Sequence, residues 1–286
     1  MSDSGYLRHI LDLNQWNPAN FRPLHIADKR VGHLKQPMWE ALAQWPELFQ
    51  VGEDGIALRP ELEGFQARSQ ALSQVVEDLV AQGVISHRHG EQYPVTATSR
   101  EQAYARIDRA AAPYFGLRAY GQHLNGFVRG EMGLQLWIAR RSADRRNFPD
   151  KLDNMVAGGL PQDLALQENL VKECWEEAAV PAEIVRRAKP VGALTYCRET
   201  PVGLKPDTLY CYDLELPADF KPVNTDGEVA EFYLIPVEEV AQIVRETDEF
   251  KLNCNLVIID FLVRHGIIAP ESPDYLEIAQ GLHERL

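Results

Sequence analysis

The stretch from Gly158 to Val180 restricts the fold more than any other part of the chain, because a glycine pair precedes a helical run that carries three glutamates. Glycine permits tight turning of the backbone and close approach by another group. At about 100° per residue, Glu173, Glu176 and Glu177 share one helix face. Like charges at this spacing repel one another, and a hard divalent cation such as Mg²⁺ would offset that repulsion. A solvated acidic face is the plainer interpretation of the triplet taken alone.

The elements around this helix predict an α/β protein. The helix itself is expected from about Leu166 to Ala179, with Val171, Trp175 and Ala178 forming its packing surface. Strand-like runs are Ala119–Val128, Gly133–Arg141, Val191–Cys197, Thr208–Leu214 and Val229–Ile235, and further helices are expected at Val237–Glu246 and Leu252–Gly266. The first two runs are expected to pair as a hairpin. This order favours a mixed sheet between layers of helices.

The first part of the chain predicts a separate, small α+β domain over residues 1–98, followed by the α/β domain over 99–286. It contains a short helical pattern near the start, an extended stretch over 21–34, a short helix from Gln36, a hairpin at Leu48–Leu58 and a helix at Ala67–Gln82. The polar segment His87–Thr98 is the predicted linker, and a helix is expected over Glu101–Ala112.

Composition narrows the choice of partners. The formal charge of -13 over 286 residues argues against nucleic acid, since binding to a phosphate backbone depends on clustered Lys and Arg. The sequence offers neither a secretory signal nor an apolar run that predicts a membrane span. The four cysteines lack metal-ligand spacing, which predicts reduced thiols in a cytoplasmic protein without a zinc site or disulfides.

The glycine-to-helix spacing resembles the box of the Nudix family, GX5EX7REUXEEXGU, in which U is aliphatic. Gly158, Glu173, Glu176, Glu177 and Val180 match this pattern, and Cys174 stands at the first U. Leu164, Lys172 and Ala179 depart from it, at the first Glu, the Arg and the late Gly. Lysine supplies charge without the fork of arginine, and Ala179 indicates a helix end without a left-handed glycine cap.

The family resemblance implies a Nudix α/β/α sandwich that hydrolyses a small diphosphate with Mg²⁺, or Mn²⁺ in its place, on Glu173, Glu176 and Glu177. The alternative is a binding protein with a degenerate box. If the assignment is right, replacing Glu177 by Gln should abolish turnover with little change in melting temperature.

A narrower resemblance extends over most of the chain. It rests on Phe21–Leu24, Gly121–Val128, Leu136–Ser142, Lys151–Gly159 and Tyr212–Pro217. These segments are similar to a Nudix subgroup that includes the Nudix region of some fungal thiamine pyrophosphokinases. The resemblance implies a small additional N-terminal domain and a thiamine-diphosphate-like substrate, such as oxo- or oxythiamine diphosphate, converted to the monophosphate and phosphate. Another nucleoside-diphosphate-type substrate is the alternative. The sequence is compatible with a homo-oligomer.

Residues outside the glutamate helix supply further candidates for the site. The candidates for substrate binding are Arg140 and Arg141 toward phosphate, His123 and Asn125 toward the organic group, Tyr196 for ring stacking, and Gly158 and Gly159 for close approach. Glu228 and Glu231 are candidates for a further metal ligand or general base. An ordinary salt bridge is the alternative role for Glu231, and a core position is the alternative for His123.

Overall fold

The N-terminal part of the protein folds around a four-stranded sheet. The computed structural model describes residues 5–131 and 133–285. In chain order this part contains α1 (Gly5–Leu13), β1 (Phe21–Ile26), β2 (Lys29–Lys35), α2 (Gln36–Leu42), β3 (Phe49–Gly52), β4 (Gly55–Leu58), α3 (Gly64–Ala81), β5 (Gln92–Val95) and β6 (Ala105–Asp108). The strand order is β2-β1-β4-β3, and β5 pairs with β6 as a separate antiparallel hairpin.

Helix α3 covers this sheet because its apolar residues recur at helical spacing. Leu72, Val76 and Leu79 are buried and pack with Leu34 and Ile56 of the sheet. The predicted hairpin and the predicted long helix are therefore confirmed as β3–β4 and α3.

Two expectations near the predicted boundary at residue 98 are wrong. The predicted linker contains strand β5, and the expected helix over Glu101–Ala112 is instead strand β6 followed by turns. Ala105 and Ile107 are both buried with an exposed Arg106 between them, and this alternation of period two fits a strand. Pairing with β5 thus overrides the helix propensity of the alanine-rich segment.

The second part of the protein is a mixed seven-stranded sheet. It contains β7 (Ala119–Gly130), β8 (Gly133–Arg141), β9 (Leu152–Asn154), β10 (Val156–Gly159), α4 (Leu166–Ala178), α5 (Ala182–Val185), β11 (Lys189–Glu199), β12 (Leu204–Glu215), β13 (Val229–Pro236), α6 (Val237–Glu246), α7 (Leu252–Arg264) and α8 (Tyr275–Gly281). The order is β11-β12-β7-β8-β13, with β10 on β7 and β9 on β8. Strands β7 and β12 are parallel and the other pairs are antiparallel.

Helices cover both faces of this sheet, so the predicted α/β/α sandwich is confirmed. Leu124 and Val128 of β7 pack against Leu170 and Cys174 of α4 on one face. Phe127, between them in the alternation, packs on the other face with α6 and α7.

The first helix of the chain belongs to the second core. Ile10 and Leu13 of α1 are buried in the cluster that α6, α7 and α8 form. A domain running continuously over residues 1–98 therefore does not describe the packing of α1, and the boundary at residue 98 stays a prediction. No helix in the described part of the chain is long and apolar enough to cross a membrane.

Candidate active site

Helix α4 is fixed at its C-terminal end by a left-handed residue. Ala179 has φ 50°, and the N–H groups of Ala179 and Val180 donate to the carbonyls of Trp175 and Cys174. The Ala179-to-Trp175 bond is that of the αL cap, in which glycine is the usual left-handed residue. The helix ends without a glycine cap, as expected, but its left-handed conformation is retained, because Ala179 adopts it. The conformation costs an L-residue roughly 1–2 kcal/mol.

The loop before α4 is held from the N-terminal part of the protein. Arg100 is buried, and its Nη2 donates to the carbonyl of Leu164 at 2.5 Å, to that of Gln162 at 3.3 Å and to that of Pro161. Leu164 occupies the position of the first box glutamate, so a guanidinium on its backbone stabilises the loop where that glutamate is missing. Sequence reasoning missed Arg100 because 64 residues separate it from Leu164.

Glu177 is the buried member of the triplet. Its side chain faces strand β10, where Oε2 accepts a hydrogen bond of 2.9 Å from the Ala157 N–H. Burial raises the pKa of Glu177 to about 8, and the charges of Asp153 and Glu173 add to the effect. A carboxylate in such surroundings is stabilised by a cation placed close to it.

Glu173 lies against the next residue of the same strand. A Cβ on Gly158 would stand 2.5 Å from Glu173 Oε2, so only glycine leaves room for this carboxylate. Burial raises the pKa of Glu173, with Lys172 opposing and Glu176 and Glu91 adding to the shift. Two carboxylates thus meet consecutive residues of β10, which suits a divalent cation with oxygen ligands.

Glu176 is the most exposed glutamate of the triplet and shares a lysine with Glu173, and its role as a metal ligand stays a prediction. Lys172 Nζ lies 2.7 Å from Glu176 Oε2 and 3.2 Å from Glu173 Oε1. Burial opposes the charge on Lys172, but these hydrogen bonds outweigh it and raise its pKa to about 12. The lysine therefore supplies the charge expected at the arginine position of the box, with two single contacts in place of a bidentate one.

The packing face of α4 differs from the expected one. Trp175 is 55% exposed, whereas Leu170, Cys174, Glu177 and Ala178 are buried. The expectation that Trp175 packs in the core is wrong. The buried stripe is rotated toward the glutamates, so that Glu177 lies beneath the helix and shares its buried side with the apolar residues.

A second polar cluster lies below Glu177. Asp153 accepts from Arg141 at 2.9 Å, from Lys251 at 3.1 Å, from the Cys254 thiol at 2.6 Å and from the Asn154 N–H at 2.9 Å. Burial opposes the charge on Asp153, but Lys251, His123 and Arg141 outweigh it and lower its pKa.

Within residues 5–131 and 133–285, the one set of three possible ligand atoms all within 4.8 Å of one another is that of His123, Asp153 and Cys254. The three box glutamates are therefore less tightly gathered. This set does not fit a divalent cation, because Asp153 already accepts four hydrogen bonds and two cationic side chains contact it. It is a buried ion-pair cluster. All four cysteines are free and buried.

The comparisons with known proteins agree with this geometry. A model described as the NUDIX domain matches residues 124–254, and one described as Domain of unknown function (DUF4743) matches residues 5–119. Nudix hydrolase 20, chloroplastic, of Arabidopsis thaliana is 42% identical over 93% of this chain and 74% of its own length. The chain belongs to the Nudix family. It is an enzyme of the kind that hydrolyses phosphoanhydride bonds, a chemistry for which Nudix enzymes generally use a divalent metal ion.

Two further relatives extend the similarity over both parts of the chain. Nudix hydrolase 24, chloroplastic, of Arabidopsis thaliana is 43% identical over 92% of this chain and 73% of its own length. Uncharacterized protein YJR142W of Saccharomyces cerevisiae is 34% identical over 84% of this chain and 75% of its own length. The similarity therefore includes the N-terminal part as well as the Nudix domain.

Three candidates for substrate binding are enclosed in the protein. His123 and Asn125 are 2% exposed and lie on the α7 face of β7, in a chain of hydrogen bonds through Asn154. Tyr196 is 3% exposed in the core that α6 and α7 cover, and its hydroxyl donates to Asp207 at 2.7 Å. The expectation that these residues contact substrate does not agree with their placement. Strand alternation defined their face but did not identify the helices that cover it.

The two candidate arginines are engaged differently. Arg141 is occupied by Asp153 and by the carbonyls of Asn147 and Phe148, so its guanidinium is part of the buried cluster. Arg140 donates to the Asp150 carbonyl and is more open. These contacts argue against phosphate binding by Arg141, whereas phosphate binding by Arg140 stays a prediction.

Glu228 and Glu231 follow a loop that reaches the end of α4, where the Thr225 N–H donates to the Glu176 carbonyl; Glu228 ends this loop and Glu231 lies in β13. Glu228 pairs with Arg145 at 2.6 Å. Glu231 lies opposite Arg140 in the β13–β8 register and accepts from the Tyr233 hydroxyl at 2.7 Å. Their catalytic roles stay predictions.

Proposed function

We propose that this Nudix enzyme hydrolyses a small organic diphosphate of the thiamine-diphosphate type, with Mg²⁺ held by Glu173 and Glu177. The observation that carries the proposal is the placement of the buried Glu177 carboxylate and the half-buried Glu173 carboxylate on consecutive residues of β10, at Ala157 and Gly158. Both carboxyl groups have a raised pKa, so both gain from a cation between them. Mg²⁺ commonly joins one or two carboxylates to substrate phosphates and keeps several of its waters.

The roles of the chain's own residues follow from this placement. A bound divalent cation supplies charge neutralisation on the phosphoryl oxygens and an acidified water. Strand β10 orients both carboxylates. Glu173 occupies the space beside Gly158, and Glu177 accepts a hydrogen bond from the Ala157 N–H. Lys172 contacts both Glu176 and Glu173 and opposes the rise in the pKa of Glu173 that burial causes. The expected products are the monophosphate and inorganic phosphate.

The thiamine type of substrate is supported by the resemblance of the segments around the box to one Nudix subgroup. Two features that offset departures from the box pattern support an active site and not a degenerate one. Ala179 keeps the left-handed helix end, and Arg100 holds the loop at Leu164. We expect a cytoplasmic protein, as the reduced thiols predict; the two plant relatives are named chloroplastic.

The test is a panel of diphosphates with Mg²⁺, with Mn²⁺ and with EDTA. Thiamine, oxythiamine and oxothiamine diphosphate are compared with ADP-ribose and nucleoside diphosphates, and monophosphate and phosphate are quantified. Turnover that is highest on the thiamine compounds and lost in EDTA supports the proposal. Preference for the nucleotides would show that the substrate is of the nucleoside-diphosphate type and not of the thiamine type. Binding without turnover under every metal condition would identify a degenerate box.

A further inference from the structure

The N-terminal part of the protein reaches the Nudix box through the β5–β6 hairpin. A Cβ on Gly159 would lie 2.9 Å from Arg109 Nη1, and closer still to the Tyr93 hydroxyl. Arg109 directly follows β6, and Tyr93 lies in β5. Gly159 therefore lacks a side chain at the point where two polar groups from the hairpin approach the strand that carries the box.

Arg109 is placed by its hairpin and remains partly open. Its Nη1 lies 2.7 Å from Glu91 Oε2, and its guanidinium carbon lies 5.5 Å from the centre of the Tyr93 ring. The side chain of Arg109 is 37% exposed, whereas Tyr93 is 5% exposed. In the part of the chain that the structure describes, the Glu91 carboxylate is the one group that accepts a hydrogen bond from this guanidinium. Most of its donors are thus available to a ligand.

The Arg109 guanidinium and the Glu173 carboxylate contact neighbouring residues of β10. Consecutive Cα atoms are about 3.8 Å apart, so the contacts at Gly158 and Gly159 place the Arg109 guanidinium carbon at most about 12 Å from the Glu173 carboxyl carbon. Burial opposes the charge on Arg109, but Tyr93, Glu91 and Glu173 together raise its pKa. A diphosphate keeps some negative charge when one divalent metal ion is bound to it. The Arg109 guanidinium is placed to neutralise this remaining charge.

We propose that Arg109 binds a phosphate group of the substrate, so that the N-terminal part of the protein completes the Nudix active site. The inference rests on the proposed function for the identity of the substrate. A guanidinium presents parallel N–H donors that match phosphate oxygens in a bidentate contact. Tyr93 supports the guanidinium from below, and Glu91 holds it in place from the side. The ligand class is an organic diphosphate that contacts the metal carboxylates at one end and Arg109 at the other.

The test compares four variants with the wild-type protein in steady-state kinetics on the best diphosphate of the panel. Arg109→Ala should raise KM about 10- to 100-fold, the range for losing a hydrogen-bonded charge. The KM of Arg109→Lys should lie between those of the wild type and Arg109→Ala, because lysine keeps the charge without the forked donors of arginine. Arg106→Ala is the matched control, since Arg106 is exposed on the same hairpin and should leave KM unchanged. Glu91→Gln breaks the ion pair and keeps the guanidinium, so it should change KM by less than Arg109→Ala.

Binding of methylenediphosphonate with Mg²⁺, measured by calorimetry, separates this inference from the proposed function. A wild-type protein that binds the probe in an Arg109-dependent way without turnover would reject the hydrolase and keep the phosphate site. Turnover with equal KM in wild type, Arg109→Ala and Arg109→Lys would reject the phosphate site alone. Equal rises in KM for Arg109→Ala and Glu91→Gln, with matching falls in melting temperature, would show that the Arg109–Glu91 ion pair is only structural. If Arg109→Ala does not fold, the lysine variant decides on the same criteria. Failure of the wild type both to bind and to turn over would reject both proposals.

Discussion

Replacing Glu177 by Gln should make the metal-free protein more stable while abolishing its turnover. Glu177 is 6% exposed, and among the described residues the Ala157 N–H is the one group that donates a hydrogen bond to it. An amide of the same shape keeps this contact through its oxygen and removes the charge that burial penalises. From the sequence alone we expected little change in melting temperature. The burial of the carboxylate changes that expectation to a rise.

The magnitude follows from the proton affinity of the side chain. The pKa of Glu177 rises from its ordinary value of 4.5 to about 8, mainly through burial. In the unfolded chain this group ionises at its ordinary value, whereas in the folded, metal-free protein it stays protonated up to about pH 8. Its contribution to stability is therefore fully present below about pH 4.5 and is lost as the pH rises to 8. At about 1.4 kcal/mol for each tenfold change in proton affinity, the loss reaches about 5 kcal/mol at most.

Thermal melting in EDTA at pH 4.5, 6 and 8 measures this effect. At about 2–4 °C for each kcal/mol, Glu177→Gln should melt roughly 10 °C above the wild type at pH 8 and near it at pH 4.5. Glu176→Gln makes the same chemical change on a half-exposed neighbour and should keep the wild-type pH dependence. Adding Mg²⁺ should raise the melting temperature of the wild type and not that of Glu177→Gln. If Glu177→Gln melts below the wild type at pH 8, the reasoning from burial is wrong.

Three further substitutions test the surroundings of the box. Gly158→Ala meets the flexible end of Glu173, so it should lower Mg²⁺-dependent turnover at least about tenfold with a stability cost under about 3 kcal/mol; an unchanged Mg²⁺ titration would contradict this. Gly159→Ala should displace Arg109 and raise KM for the diphosphate without changing the Mg²⁺ requirement; a KM equal to that of the wild type would show that the hairpin adjusts. Asp153→Ala leaves Lys251 without its buried partner and should cost about 3–5 kcal/mol in urea unfolding, and a cost below about 1 kcal/mol would argue against the ion-pair cluster.

Local periodicity predicted much of the fold. The alternation in β7 and β8 and the helical spacing in α3 and α4 each report a face that is buried against a neighbour, so the pattern is present in the sequence itself. It failed over residues 101–112, where a run of alanines suggests a helix. The pairing of β6 with β5 decides the structure there, and pairing between segments leaves no local pattern strong enough to reveal it.

The site was predictable where it is contiguous in the chain. Glu173, Glu177 and Gly158 come from one stretch, and the spacing of the two glutamates places them on one face of α4, the face that meets β10. Arg100 and Arg109 were missed because each reaches the box across about fifty residues or more. His123, with its neighbours on β7, was predicted to face a ligand. The sequence shows which residues share a face of the sheet, whereas the order of the layers decides whether that face is open.

The glycine pair connects the two parts of the protein. Successive residues of a strand point to opposite sides, so Gly158 and Gly159 leave space on both sides of β10. One space admits Glu173 from α4, and the other admits Tyr93 and Arg109 from the N-terminal hairpin. Both contacts fall on one short strand, since β10 is four residues long and pairs with β7. The N-terminal part therefore meets the same strand as the metal carboxylates, and the separate effects of alanine at the two glycines test whether its contact bears on substrate affinity alone.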